Sequence, residues 1–111
     1  MAYDQGLAQR VRELLEELPG YQEKKMFGGI CFLIYGNMAC GIIKDDLIVR
    51  VGPTAYTEAL RQPEAHPFDL TGRPMSGWVM VTPEGCESDD ELGDWVEKGT
   101  RFARTLPAKG K

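Results

Sequence analysis

From Gly29 to Val51 the chain reads "GICFLIYGNMACGIIKDDLIVRV". Three apolar, β-rich runs are separated by breaks of about two residues. A parallel crossover needs a dozen or more residues, so neighbouring runs can only pair antiparallel. The stretch therefore predicts a β-meander with strands near Ile30 to Tyr35, Met38 to Ile43 and Leu47 to Val51. A leading strand near Glu23 to Phe27 is expected before them. Gly36-Asn37 suits a two-residue hairpin turn with positive φ, and Asp45-Asp46 suits the second turn.

Helical signals flank the meander. Asp4 can cap a helix whose stripe is Leu7, Val11, Leu14, Leu15 and Leu18, stopped by Pro19-Gly20. Gly52-Pro53 opens a second helix, which ends before Pro63. Ser88 and Glu91 make a capping box for a last helix. Its inner face reads Leu92, Trp95, Val96, Gly99, Phe102, Ala103 and Leu106. "QPEAHPFDLTGRPMSG" reads as an irregular loop, and Gly77 to Val81 as one more strand. Strands cluster in the middle and helices surround them. This predicts one α+β domain over residues 1–111, with an ordered core of about 4–106 and a mostly antiparallel sheet. The 111 residues suffice for one self-standing core.

A two-residue turn at Gly36-Asn37 sets the faces. It puts Cys31, Leu33, Tyr35, Met38, Cys40 and Ile42 on one side, joined by Leu47, Val49 and Val51. Ile30, Phe32, Ile34, Ala39, Gly41, Ile43, Ile48 and Arg50 fall on the other. Cys31 and Cys40 then share a face as diagonal neighbours, roughly 7–8 Å apart, beyond comfortable disulfide reach. Both faces are apolar, whereas a sheet with one wet face should alternate apolar and polar residues. The second face must therefore be covered by helices, by a second copy or by a partner. Arg50 within it snorkels at the sheet edge or anchors a carboxylate or anionic ligand.

Chemical motifs are sparse. Phe27-Gly28-Gly29 precedes a strand and lacks the spacing of a phosphate loop, so its glycines read as a tight turn or bulge. No C-x-x-C or C-x-x-H spacing joins Cys31, Cys40, Cys86 and His66, so no metal or other cofactor is expected. Cys86, in the acidic "PEGCESDD", reads as an exposed thiol. His66, the only histidine, reads as a loop residue. No Ser/His/Asp or paired-carboxylate arrangement stands out, so no catalytic residues are expected.

Charge bounds the partners. The net charge is −4 at pH 7, which disfavours general nucleic-acid binding. Acids gather at the start of the last helix, while Lys98, Arg101 and Arg104 gather at its end, in keeping with the helix dipole. No apolar run reaches the roughly 18 residues of a membrane span. The N-terminus lacks the pattern of a signal peptide. Three cysteines, an odd number, fit free thiols in a reducing, cytoplasmic setting.

The stretch "KKMFGGICFLIYGNMACGIIKDDLIVRVGP", followed by "AYTEAL" and "HPFDLTGRPMSGWVMVTPE", resembles the TfoX N-terminal domain family, also called TfoX/Sxy. The likeness runs from about Leu7 to Leu106. Its most specific residues are Met26, Phe27, Gly28 and Gly29, then Phe32, Gly36, Asp46, Leu47 and Arg50; Pro74, Met75 and Trp78 resemble the family's later strand. The resemblance implies an α+β sheet flanked by helices and carries over no catalytic residue or cofactor. It implies kinship with bacterial regulators that promote natural competence together with another transcription factor. Those longer proteins carry a C-terminal second domain, which is expected to be absent from a chain that ends at Lys111.

Together these readings predict a non-enzymatic, bacterial, cytoplasmic interaction module for a protein partner or for itself as a homodimer. The binding candidates are Arg50, Phe32, Ile34, Lys25, Arg73 and Trp78. One rival is direct nucleic-acid binding through Lys24, Lys25, Arg50, Arg73 and the stripe Lys98 to Arg104. Another is a small-molecule binder or enzyme using Arg50, His66, Tyr35 or Cys86.

Overall fold

The apolar runs form strands and the capped stretches form helices. The computed structural model describes residues 3–26, 28–68 and 76–107. In chain order they give α1 (Gln5–Leu15), β1 (Tyr21–Met26), β2 (Gly29–Ile34), β3 (Asn37–Ile43), β4 (Asp46–Arg50) and α2 (Pro53–Ala59). Then come β5 (Ala65–Pro67), β6 (Trp78–Val81), a 3-10 turn at Pro83–Cys86, and α3 (Asp89–Arg104). The Asp4 carboxylate accepts from the Leu7 amide at 3.1 Å. Ser88 and Glu91 close the reciprocal capping box that starts α3.

All strand pairs are antiparallel, and the sheet order is β1-β2-β3-β4-β6-β5. The meander is the first four strands. β5 corrects the expectation of an irregular loop at 62–77: Ala65, His66 and Pro67 pair with Val81, Met80 and Val79. Proline is tolerated there because β5 is an edge strand.

The second hairpin turn is Lys44-Asp45 and not Asp45-Asp46, since Ile43 pairs with Asp46 at the start of β4. The first hairpin turn likewise lies one residue earlier than the sequence suggests. Tyr35 and Gly36 occupy it, at φ 52 and 82, and Ile34 pairs with Asn37. Two consecutive positive φ values match the mirror-image turn that fits the twist of a hairpin. Asn37 instead enters β3, where it is buried and its amide nitrogen donates to the Pro107 carbonyl at 2.8 Å. A bulge then leaves Ala39 as the extra residue, so Leu33 pairs with Met38 and Phe32 with Cys40. Bulges of this kind re-aim the side chains beyond them.

The bulge changes which residues share a face. Ile30, Phe32, Cys40, Ile42, Leu47, Val49, Val79 and Val81 form one core with Leu7, Val11 and Leu15 of α1 and Leu92, Trp95 and Val96 of α3. Ile34 and Ala39 pack with Ala103. Helices therefore cover Ile30, Phe32 and Ile34. The pairing also corrects the cysteine geometry: Cys40 lies opposite Phe32, so Cys31 is on the other side of the sheet, and all three cysteines are free. Gly99 lets α3 lie close on the sheet, since a Cβ there would sit 2.2 Å from the Ala39 carbonyl oxygen.

Among the described residues no helix is long and apolar enough to cross a membrane.

Candidate interaction surface

The second face of the sheet is set by the same register. The row Lys24, Cys31, Gly41, Ile48, Met80 and His66 crosses all six strands. Cys31 and Ile48 are buried, while Leu33, Met38, Ile43, Met80 and Trp78 are half-buried. Arg50 ends β4 on this face, opposite Trp78 of β6.

Arg50 is held by aromatic rings. Its guanidinium carbon lies 5.2 Å from the centre of the Trp78 ring and 5.2 Å from that of Phe102. Phe68 braces Trp78 in turn, at 6.4 Å between ring centres. Phe102 belongs to α3 and reaches the sheet end past Gly52, where a Cβ would lie 2.4 Å from its ring. Gly52 also has φ 89, so both backbone and space require glycine there. Among the described residues no carboxylate forms an ion pair with Arg50. Contacts with ring faces leave the N–H donors of a guanidinium unused.

Phe102 also borders a groove between α2 and α3 with a volume of about 340 Å³. Val51, Ala55 and Phe102 give it an apolar floor, Thr54 and Thr105 bring hydroxyls, and Lys98 and Arg101 bring charge. Thr105 donates its hydroxyl hydrogen to the Phe102 carbonyl at 2.6 Å. Arg101 pairs with Glu97 at 3.2 Å, both well exposed. The Lys98 ammonium sits 5.2 Å from the centre of the Trp95 ring. Sequence reading assigned Phe102 wholly to the core stripe of α3. The missed signal was Gly52, whose lack of a side chain admits the ring.

With this geometry in view, a comparison with family models is decisive. The TfoX N-terminal domain model matches residues 13–103. The chain belongs to the TfoX N-terminal domain family. No curated protein sequence matches it. All six strands of this TfoX N-terminal domain lie inside the matched span, as do Arg50, Trp78, Lys98, Arg101 and Phe102.

The other sequence candidates fall into distinct places. Phe32 and Ile34 have no exposed surface, so they support the core and present nothing to a partner. Lys24 and Lys25 are exposed on the edge strand β1. Phe27 and Arg73 lie outside the described residues, as do Pro74 and Met75. Met26 ends β1 opposite Gly29. Gly28 has φ 74, and a Cβ on Gly29 would meet the Ile42 carbonyl oxygen at 2.1 Å, so this glycine pair serves the backbone. Tyr35 is exposed in the hairpin turn and His66 on β5.

Cys86 is not the exposed thiol its acidic surroundings suggest. It is 2% exposed. Burial above all pushes its pKa up to about 11, with Glu91 and Asp46 adding to this and Arg10 opposing it. Burial also raises the pKa of Cys31 and of Cys40. All three are therefore poor nucleophiles near neutral pH. Among the described residues no group of three or more His, Cys, Asp or Glu could hold a metal ion.

Proposed function

We propose that this TfoX N-terminal domain is a non-enzymatic regulatory module that works by docking a protein partner. In this reading Arg50 receives an acidic group of that partner. One observation carries it: the guanidinium of half-buried Arg50 lies close to both the Trp78 and Phe102 rings while no described carboxylate pairs with it. A guanidinium so placed has already lost its side-chain freedom, which lowers the entropic cost of binding a carboxylate. Arginine and tryptophan are both among the residues enriched where interfaces concentrate their energy. Kinship with competence regulators points to transcriptional control in the cytoplasm as the setting. The net charge of −4 weighs against nucleic acid as the direct target.

The test is affinity capture of the cellular complex with the wild-type chain and with Arg50→Glu, both confirmed folded by their melting curves. The reading predicts loss of the captured partner with the variant. If folded Arg50→Glu keeps every partner, Arg50 is not the docking point. A second copy of the chain as the partner would appear as a wild-type dimer in sedimentation.

A further inference from the structure

We propose that the groove between α2 and α3 is a binding site for a small anionic aromatic molecule, its ring lying on Phe102 and its phosphate or carboxylate held by Lys98 and Arg101. This goes beyond the docking role of Arg50, and neither proposal depends on the other. Three observations carry it.

The groove has the size and mixed character of a small-molecule site. Its volume of about 340 Å³ falls in the range of roughly 300–1,000 Å³ typical of ligand pockets, which are mainly apolar with a few polar groups. Its floor of Val51, Ala55 and Phe102 fits that description.

The charge in its lining has one sign. Lys98 and Arg101 line it, and among the described residues no carboxylate does. Lys98 also borders a second groove that Glu64, Glu91 and Asp94 line, and Arg101 is paired with Glu97 on the exposed surface of α3. Exposed pairs of this kind are weak and yield readily to a better-placed anion. Arginine offers a flat fork to phosphate or carboxylate, and lysine adds a mobile point charge.

The aromatic floor is fixed before anything binds. The Phe102 ring lies against Gly52 and beside the Arg50 guanidinium. A ring already held in place stacks on another ring without further loss of freedom. The hydroxyls of Thr54 and Thr105 at the rim can bond the polar edge of the ligand. A ligand with only a ring would leave both cations unused, and one with only a phosphate would leave the floor wet. The class that uses both is a ring carrying an acid.

The experiment is a titration of the ¹⁵N-labelled protein with phenyl phosphate, with benzyl alcohol and inorganic phosphate as probes of each half alone. The proposal expects saturable shifts in the amides of Thr54, Ala55 and Phe102 with phenyl phosphate below about 10 mM. It expects each half-probe to bind at least about fivefold more weakly. The double charge reversal Lys98→Glu with Arg101→Glu, at exposed positions, should weaken binding at least about tenfold. Its spectrum away from the groove should match wild type. Absent shifts at these amides, or inorganic phosphate binding as tightly as phenyl phosphate, would overturn the proposal. So would unchanged affinity in a charge-reversed protein whose spectrum shows it folded. A single reversal, Arg101→Glu, serves the same purpose if the double variant does not fold. Arg50→Glu is left out of this series, so its result bears on the docking role alone.

Discussion

The Arg50 guanidinium carbon stands 5.2 Å from the centre of the Trp78 ring, across the β4–β6 pair. The same carbon is 5.2 Å from the Phe102 ring of α3. A charge at the end of a central strand is thus tied to the neighbouring strand and to the last helix at once. The tie joins sheet and helix layers through Phe102, which also lines the α2–α3 groove, and Gly52 makes room for that ring.

The first prediction concerns the energy of that tie. Arg50→Met keeps the aliphatic stem and removes the charge, and Trp78→Leu removes the ring. A double-mutant cycle by urea unfolding should give a coupling of about 0.5–1 kcal/mol, the range for partly exposed cation–π pairs. Additive single effects would mean that Arg50 packs by its stem alone.

A second prediction follows from the junction of α1 with β1. The Arg12 guanidinium donates to the Glu23 carboxylate, one of its two bonds being 3.0 Å long, and the Tyr21 hydroxyl donates to the same carboxylate. The hydrogen bond from Arg12, aided by that from Tyr21, holds the Glu23 pKa below its usual value. A carboxyl lowered on folding stabilises the protein above its unfolded pKa, and that contribution disappears as pH falls through the lowered value. Glu23→Gln should therefore cost roughly 1 kcal/mol at neutral pH and progressively less as pH falls through the lowered Glu23 pKa. Tyr21 works in the opposite sense, because burial first and then Glu23 raise its pKa. Its contribution is complete below about pH 10 and is lost as pH climbs above that. Urea midpoints across pH, wild type against Glu23→Gln and Tyr21→Phe, check both signs.

The sequence made the fold legible where short breaks left only one pairing. The breaks after Tyr35 and Ile43 are too short for anything but antiparallel neighbours, and Asp4 and Ser88 cap the helices they were expected to cap. It misled at Gly36-Asn37, because an asparagine beside a glycine is the best local candidate for positive φ. Burial of Asn37 against the Pro107 carbonyl outweighed that preference and passed the strain to Tyr35. This long-range contact is invisible to a local reading. The earlier turn by itself would keep Cys31 and Cys40 on one face; the bulge at Ala39 puts them on opposite faces and turns Cys40 and Ile42 inward beside Phe32. At the candidate surface, Arg50 was legible as an anomaly in an apolar strand. Its cage was not, since Trp78 and Phe102 are 28 and 52 residues away in the numbering.

The third prediction concerns the cysteines. Burial raises all three thiol pKa values, and Cys40 has no exposed surface. Thiol reagents attack the thiolate and need access to it. Labelling of the folded protein near pH 7 should thus be slow at every site and slowest at Cys40. In urea all three should react at the rate of a free cysteine. Fast native labelling at Cys86 would show that the 3-10 turn at Pro83–Cys86 opens locally.

The last prediction contrasts two glycines of α3. Glycine inside a helix is about 1 kcal/mol less favourable than alanine, because it loses more backbone freedom on folding. By propensity alone, both Gly93→Ala and Gly99→Ala should stabilise the protein. At Gly93 a Cβ would meet nothing within 4 Å, so the propensity gain survives and stability should rise by about 0.5–1 kcal/mol. At Gly99 a Cβ would stand 2.2 Å from the Ala39 carbonyl oxygen and 3.3 Å from Val49. The first contact is with backbone in a central strand, which has no rotamer with which to step aside. Helix and sheet would have to separate, at a cost of about 1–3 kcal/mol that exceeds the propensity gain. Gly99→Ala should therefore lower the urea midpoint while Gly93→Ala raises it. Two increases of equal size would mean that α3 is free to lift from β3.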